Sequence, residues 1–526
     1  MKDNTKNKTK KKKTRNILYF ILIFILLFIH RLISFAIGWF LEEFGTTPFG
    51  QIVFHLQVPL TGTGSGALTE FVVDFFADSA IILLSYLFII IVAAVWLARK
   101  KKEKIFSFTM KLKKNEKNIS ISLQFIAKLF VLLGVIFMLC LEIRNAYIVL
   151  GVEKYLYNME NASTIYEDYY VNASEADIEF PENKKNLIYI FMESMEVSYA
   201  NKSHGGAWNE SLIPKLTNMA LEGECFGTEE MLSGGYSLAN TTWTMSGIIA
   251  QTAGVTTNLP IDHLDGNRYK LILEGATALG DILESEGYYQ AMVLGSDSEF
   301  AGLNEYAKEH GNYEIFDVNT FKEEGKIPED YEENWGIEDL KLLEYSKEII
   351  TDAAESGKPF NVTIQTLDTH FPDGYKCVLC GSKFENQMEN VIACADSQIY
   401  RFVEWIKKQD FYEDTVIIIA GDHPSMEKLI PDLIGDGSYE RDVYFAVINS
   451  DTEPVADNVY RQYSTLDMFP TTLAALGCKI ENNKLGLGVN LYSQEETLIE
   501  KLGKEKCDNE LAKVSLFYNR EILKIK

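Results

Sequence analysis

Hydrophobic residues are laid out along this chain in two different ways, and the change comes near residue 145. Before it, they run almost unbroken over lengths suited to lipid. The stretch 16–41 is apolar around His30-Arg31, and the segments 79–98 and 123–143 repeat the pattern. About 20 such residues cross a bilayer core, so three transmembrane helices are predicted. The His30-Arg31 pair would then turn toward protein or water instead of lipid. From residue 186 the apolar runs shrink to strand length: 187–192, 290–294, 360–367, 415–419 and 443–448. Helix-period segments lie between them at 212–222, 276–286, 335–354, 385–408 and 466–476. Short, largely apolar segments of strand length alternating with helices predict an α/β domain, with a mostly parallel central sheet flanked by helices.

Charge fixes the orientation. The formal net charge of -25 argues against a nucleic-acid partner. Yet residues 1–15 hold eight Lys or Arg against one Asp, and the segment 99–121 holds nine Lys or Arg. The segment 42–78 between the first two spans has none. Positive loops stay in the cytoplasm, so the amino terminus is predicted inside and everything after residue 145 outside the cell membrane. The expected order is a basic, disordered cytoplasmic tail (1–15), a membrane domain (16–145), a juxtamembrane linker (146–185), an extracytoplasmic domain (186–495) and a charged tail (496–526).

Candidate chemistry collects after the predicted strands. Glu193 follows 187–192, His370 follows 360–367, and Asp422-His423 follow 415–419. Ligands of open α/β sheets bind at that edge. Each residue alone is a plain turn or helix cap. Together, two carboxylates and an imidazole offer a mixed oxygen and nitrogen set to Mn²⁺, Mg²⁺ or Zn²⁺. Thr241 stands in the polar stretch before a helical segment, where the helix dipole and a nearby cation would both favour its alkoxide as a nucleophile. Cys377 and Cys380 form a CxxC without a second pair at zinc-site spacing. Outside the membrane, a local disulfide or a pairing with Cys394 is the expectation.

These strings resemble a known family. Phe191-Met192-Glu193-Ser194, Thr241-Thr242-Trp243-Thr244-Met245-Ser246-Gly247, Asp368-Thr369-His370-Phe371-Pro372-Asp373-Gly374-Tyr375, Gly421-Asp422-His423 and Leu485-Gly486-Leu487-Gly488-Val489-Asn490-Leu491 are similar to motifs of the membrane phosphoglycerol transferases. That group includes lipoteichoic acid synthase and the periplasmic-glucan enzyme, within the alkaline phosphatase/sulfatase superfamily. The resemblance implies that Glu193, Thr241, Asp422 and His423 hold one metal, commonly Mn²⁺. It implies that Thr241 attacks phosphatidylglycerol and carries a covalent glycerophosphate, with His370 contacting substrate. The acceptor would be an envelope glycan, a teichoic-acid chain or a glycolipid. The lipoteichoic acid enzymes also carry a Trp-x-Arg substrate motif, which Phe300-Ala301-Gly302-Leu303 lacks. Arg441 is the expected substitute cation.

Overall fold

The computed structural model describes all residues except 1, 45–48, 58–65, 100–104, 113–114, 259–272, 332, 334, 428–438, 455–459 and 526. The chain forms two compact units, Met1–Thr47 with Gly64–Glu153, and Pro48–Thr63 with Lys154–Lys526.

In the first unit, three helices (Lys2–Phe44, Gly66–Arg99 and Leu123–Val149) contain segments long and apolar enough to cross a membrane. The first begins at Lys2, so the basic segment expected to be disordered is helical instead. Lys is a good helix former and simply extends the apolar helix backwards. The His30-Arg31 pair finds partners within this unit. Arg31 pairs with Asp78 and its Nε donates to Ser79 Oγ at 2.9 Å, while His30 Nε2 lies 3.8 Å from Glu142. Protein groups thus partner both residues of the pair, as their cost in lipid requires. Between the second and third helices, Ile105–Leu112 and Asn115–Ser122 pair as an antiparallel hairpin. Most of the basic run 99–102 lies outside the described residues.

The second unit is built on a six-stranded sheet. In chain order its strands are β1 (Asn186–Met192), β2 (Tyr289–Leu294), β3 (Glu314–Phe316), β4 (Phe360–Gln365), β5 (Thr415–Gly421) and β6 (Phe445–Ile448). Their spatial order is β6-β5-β1-β4-β2-β3, parallel throughout except for β6, which runs antiparallel to β5. The period of two sends alternate side chains of β1 into separate cores: Leu187, Tyr189 and Phe191 to one face, Ile188, Ile190 and Met192 to the other. Because both faces are covered, every residue of β1 after Asn186 is fully buried. Helices α1 (Pro214–Glu222), α3 (Asp339–Glu355) and α4 (Gln387–Ile406) cover the second face. Helix α2 (Thr244–Ala253) covers the first.

Two sequence expectations change here. The apolar run 443–448 breaks in two: Asp442–Val443 pairs with Gly235–Tyr236, and only Phe445–Ile448 joins the main sheet. The flanking segments 146–185 and 496–526, expected as a juxtamembrane linker and a charged tail, also contribute to the core. Ile165, Tyr166, Cys507, Leu511 and Tyr518 are buried in the first core, and the Tyr166 and Tyr518 rings lie 5.0 Å apart. Their apolar residues are scattered among charges without a steady helix or strand period, so the sequence does not mark them as core. Packing against a distant part of the chain buries them nonetheless.

Candidate active site

β1, β4 and β5 are adjacent and parallel, so their carboxyl ends open on one edge. Glu193 leaves β1 there, and Asp422-His423 leave β5. Suitable ligand atoms of these three residues lie within 4.8 Å of one another. His423 Nε2 is 3.4 Å from Glu193 Oε1 and 3.6 Å from Asp422 Oδ2. All three are essentially unexposed.

The local backbone is committed to this arrangement. Ser194 adopts a positive φ of 52°, which a non-glycine residue seldom does outside a constrained site. In that conformation its N–H donates to Asp422 Oδ1 at 2.8 Å and its hydroxyl donates to Glu193 Oε1 at 2.7 Å. The His423 N–H donates to the same Asp422 oxygen at 2.8 Å. A carbonyl can only accept, so the 2.9 Å contact of His423 Nδ1 with Pro424 O puts a proton on Nδ1 and makes Nε2 the ring nitrogen that faces the carboxylates. Gly247 lets α2 press onto this turn, since a Cβ there would stand 2.1 Å from Asp422 O.

Electrostatics show what the cluster needs. Burial, then the neighbouring Glu193 charge, pushes the Asp422 carboxyl up to about 7. Burial alone would lower the His423 pKa, but Asp422 and Glu193 more than offset it and the net shift is upward. Two enclosed carboxylates facing one imidazole are an arrangement a divalent cation neutralises. The donors suit Mn²⁺, Zn²⁺ or Mg²⁺. The residues therefore fit a metal ion.

The structure does not bring Thr241 to this cluster. Its fully buried hydroxyl donates to Leu238 O at 2.8 Å. The threonine that reaches the cluster is Thr244, first residue of α2. Its Oγ1 lies 3.3 Å from His423 Nε2 and 3.4 Å from Glu193 Oε2. Thr242 points elsewhere, with its hydroxyl 3.5 Å from Gln51 Oε1. Three hydroxyls within four residues look alike in one dimension; the start of α2 decides which one faces the edge. The sequence signal that could have found Thr244 is its place as the first residue of the helical pattern.

Arg441 is also placed differently from its expected role. Its guanidinium pairs with the fully buried Glu196, with Nε 2.9 Å from Glu196 Oε2, and donates to Ser425 O at 2.7 Å. Its charge is already answered. His370 lies at this edge, because the hydroxyl of the preceding Thr369 donates to Glu193 O at 2.5 Å. Desolvation pushes the His370 pKa down to about 4, so the ring is neutral at pH 7. Its Nδ1–H donates to Phe371 O at 2.6 Å, which leaves Nε2 as an acceptor, and the Trp335 ring packs 4.9 Å away.

Gln365, the last residue of β4, went unnoticed in the sequence. Its amide donates to Asp422 Oδ2 at 3.2 Å and Glu193 Oε2 at 3.4 Å, bridging the two acids. Nothing in its type or spacing announces this; only the register of β4 beside β1 does.

Residues 185–478 match the family model described as Sulfatase. The chain is 30% identical over 321 residues to phosphoglycerol transferase I of Xanthomonas campestris pv. campestris, covering 60% of this chain and 43% of the relative. It is 29% identical over 317 residues to the Escherichia coli protein of the same name, covering 59% and 39%. The match thus spans less than half the length of these curated relatives. Among solved structures, the Listeria monocytogenes lipoteichoic acid synthase LtaP aligns with a TM-score of 0.47 at 15% identity, covering 62% of this chain and 81% of that one.

Proposed function

We propose that this chain, which belongs to the sulfatase family, is a membrane-anchored phosphoglycerol transferase that uses phosphatidylglycerol as donor. The observation that carries this reading is Thr244 Oγ1 at the amino terminus of α2, within 3.4 Å of both Glu193 and His423. The names of the curated relatives support the group transferred, and the three apolar helices support a lipid donor. The charge bias of the segments 1–15 and 99–121 supports a cytoplasmic amino terminus and an extracytoplasmic catalytic domain.

Glu193, Asp422, His423 and Thr244 would hold one divalent cation, with Mn²⁺ the first candidate. When bound, it would act as a Lewis acid on the Thr244 hydroxyl and on the phosphoryl oxygens. Thr244 Oγ1 forms a bond to phosphorus as the bond to the diacylglycerol oxygen breaks. The hydroxyl proton passes to the adjacent Glu193 carboxylate, and the departing oxygen takes up a proton from water. The α2 dipole favours negative charge at Thr244 throughout. In the second half, an acceptor hydroxyl displaces Thr244, whose departing oxygen takes back the proton held on Glu193. His370 Nε2, neutral and unprotonated, takes the acceptor's proton. The acceptor is a hydroxyl of an envelope glycan, teichoic-acid chain or glycolipid.

The test is diacylglycerol release by the full chain in vesicles of labelled phosphatidylglycerol, after chelation and after return of Mn²⁺. Release that stops on chelation and resumes with the metal supports the reading. Equal release from phosphatidylethanolamine vesicles would overturn the donor assignment, and metal-independent release would overturn the mechanism.

A further inference from the structure

Away from the strand edge, a second group of ligand-type side chains comes together. Cys377 and Cys380 lie between β4 and α4, and Cys394 lies on α4; their sulfurs are all within 4.8 Å of one another. Cys377 Sγ is 3.7 Å from Cys394 Sγ and 3.6 Å from Cys380 Sγ. Four thiolates about 2.3 Å from a tetrahedral metal stand about 3.8 Å from each other. Two measured edges of this triangle are therefore close to those of a metal–thiolate tetrahedron. Cys377 and Cys394 are buried, and Cys380 is partly so.

The fourth corner is occupied as well. Gln398 follows Cys394 by one helical turn and is only 5% exposed. Its Nε2 faces Cys394 Sγ at 3.6 Å and Cys377 Sγ at 3.8 Å, while its Oε1 is buried without a hydrogen-bond partner. An amide nitrogen and oxygen exchange places by a half-turn of the side chain. That turn aims the orphaned Oε1 at the sulfurs.

We propose that Cys377, Cys380 and Cys394, with Gln398 as the fourth ligand, form a closed site for a thiophilic divalent ion of the Zn²⁺ class. The site has a structural role. It pins the segment that follows His370 onto α4. It replaces the disulfide expected from the sequence, which would pair two of the thiols and leave the third over. This inference goes beyond the transferase reading and stands independently of it.

The experiment loads the full chain with Co²⁺ in detergent and reads the thiolate-to-cobalt charge-transfer absorption. A second assay measures metal released as the thiols are titrated with an organomercurial. Wild type and Glu193→Gln should both give the thiolate band and release about one ion per chain on thiol titration. Cys377→Ser/Cys394→Ser should give neither. The Glu193→Gln arm separates this site from the strand-edge cluster, and the wild-type readings stand even if the double variant misfolds. A cross-linked peptide joining any two of the three cysteines in the unreduced protein, with no thiolate band, would overturn the proposal.

Discussion

Replacing Thr244 and Thr241 by Ala one at a time separates two hydroxyls that the sequence makes nearly equivalent. Thr241 Oγ1 makes a single hydrogen bond, to Leu238 O, and that carbonyl keeps a second donor in the Thr241 N–H at 3.0 Å. Thr241→Ala thus strands no acceptor and costs about 1 kcal/mol. Against an overall stability on the order of 5–15 kcal/mol, the folded fraction hardly changes. Thr244→Ala removes the oxygen that stands 3.3 Å from His423 Nε2 and 3.4 Å from Glu193 Oε2. Loss of a nucleophile that works with its neighbours lowers kcat on the order of 10⁴- to 10⁶-fold. At about 1.36 kcal/mol per decade, that is about 5–8 kcal/mol of barrier. The assay follows diacylglycerol released from phosphatidylglycerol vesicles and maps the peptide carrying glycerophosphate after a rapid quench. Thr241→Ala is expected within a few fold of wild type, with the adduct on Thr244. A dead Thr241→Ala beside an active Thr244→Ala, or an adduct on Thr241 or Thr242, refutes the assignment.

Arg441→Met leaves Glu196 buried and unpaired, a cost of about 3–5 kcal/mol that thermal unfolding detects; weaker phosphatidylglycerol binding with unchanged stability would instead make Arg441 a substrate cation. Gln365→Leu removes the amide that bridges Glu193 and Asp422 and is expected to weaken metal binding about 10- to 100-fold by calorimetry, whereas unchanged affinity would deny Gln365 that role. Asp396 caps α1, accepting the Lys215 and Leu216 N–H groups at 3.0 and 2.8 Å, and burial raises its pKa from 3.8 to about 6. A raised carboxyl contributes stability that is full below the unfolded value and lost as pH climbs through the folded one. The wild type should therefore lose on the order of 3 kcal/mol relative to Asp396→Asn between about pH 4 and pH 7, and a pH-independent difference in unfolding would contradict this.

The sequence by itself determined whatever rests on local periodicity. The three helices long and apolar enough to cross a membrane and the cores of β1 and β5 are continuous apolar runs, and such runs have few other places to go; β4 instead alternates apolar with polar residues. Glu193 and Asp422-His423 were legible for the same reason, because each is the first chemistry past a strand whose end is marked by hydropathy. What the sequence could not decide was direction and distance. Thr241, Thr242 and Thr244 share one polar stretch, and only the start of α2 turns Thr244 toward the carboxylates while Thr241 turns to Leu238. Arg441 is an available cation in one dimension and a neutralised one beside Glu196 in three. Gln365 and Gln398 become polar partners of their clusters only when β4 lies against β1 and α4 lies over the Cys377–Cys380 segment. Contacts between residues far apart in the chain depend on strand order and helix placement, which the burial of many residues sets together and no single stretch encodes.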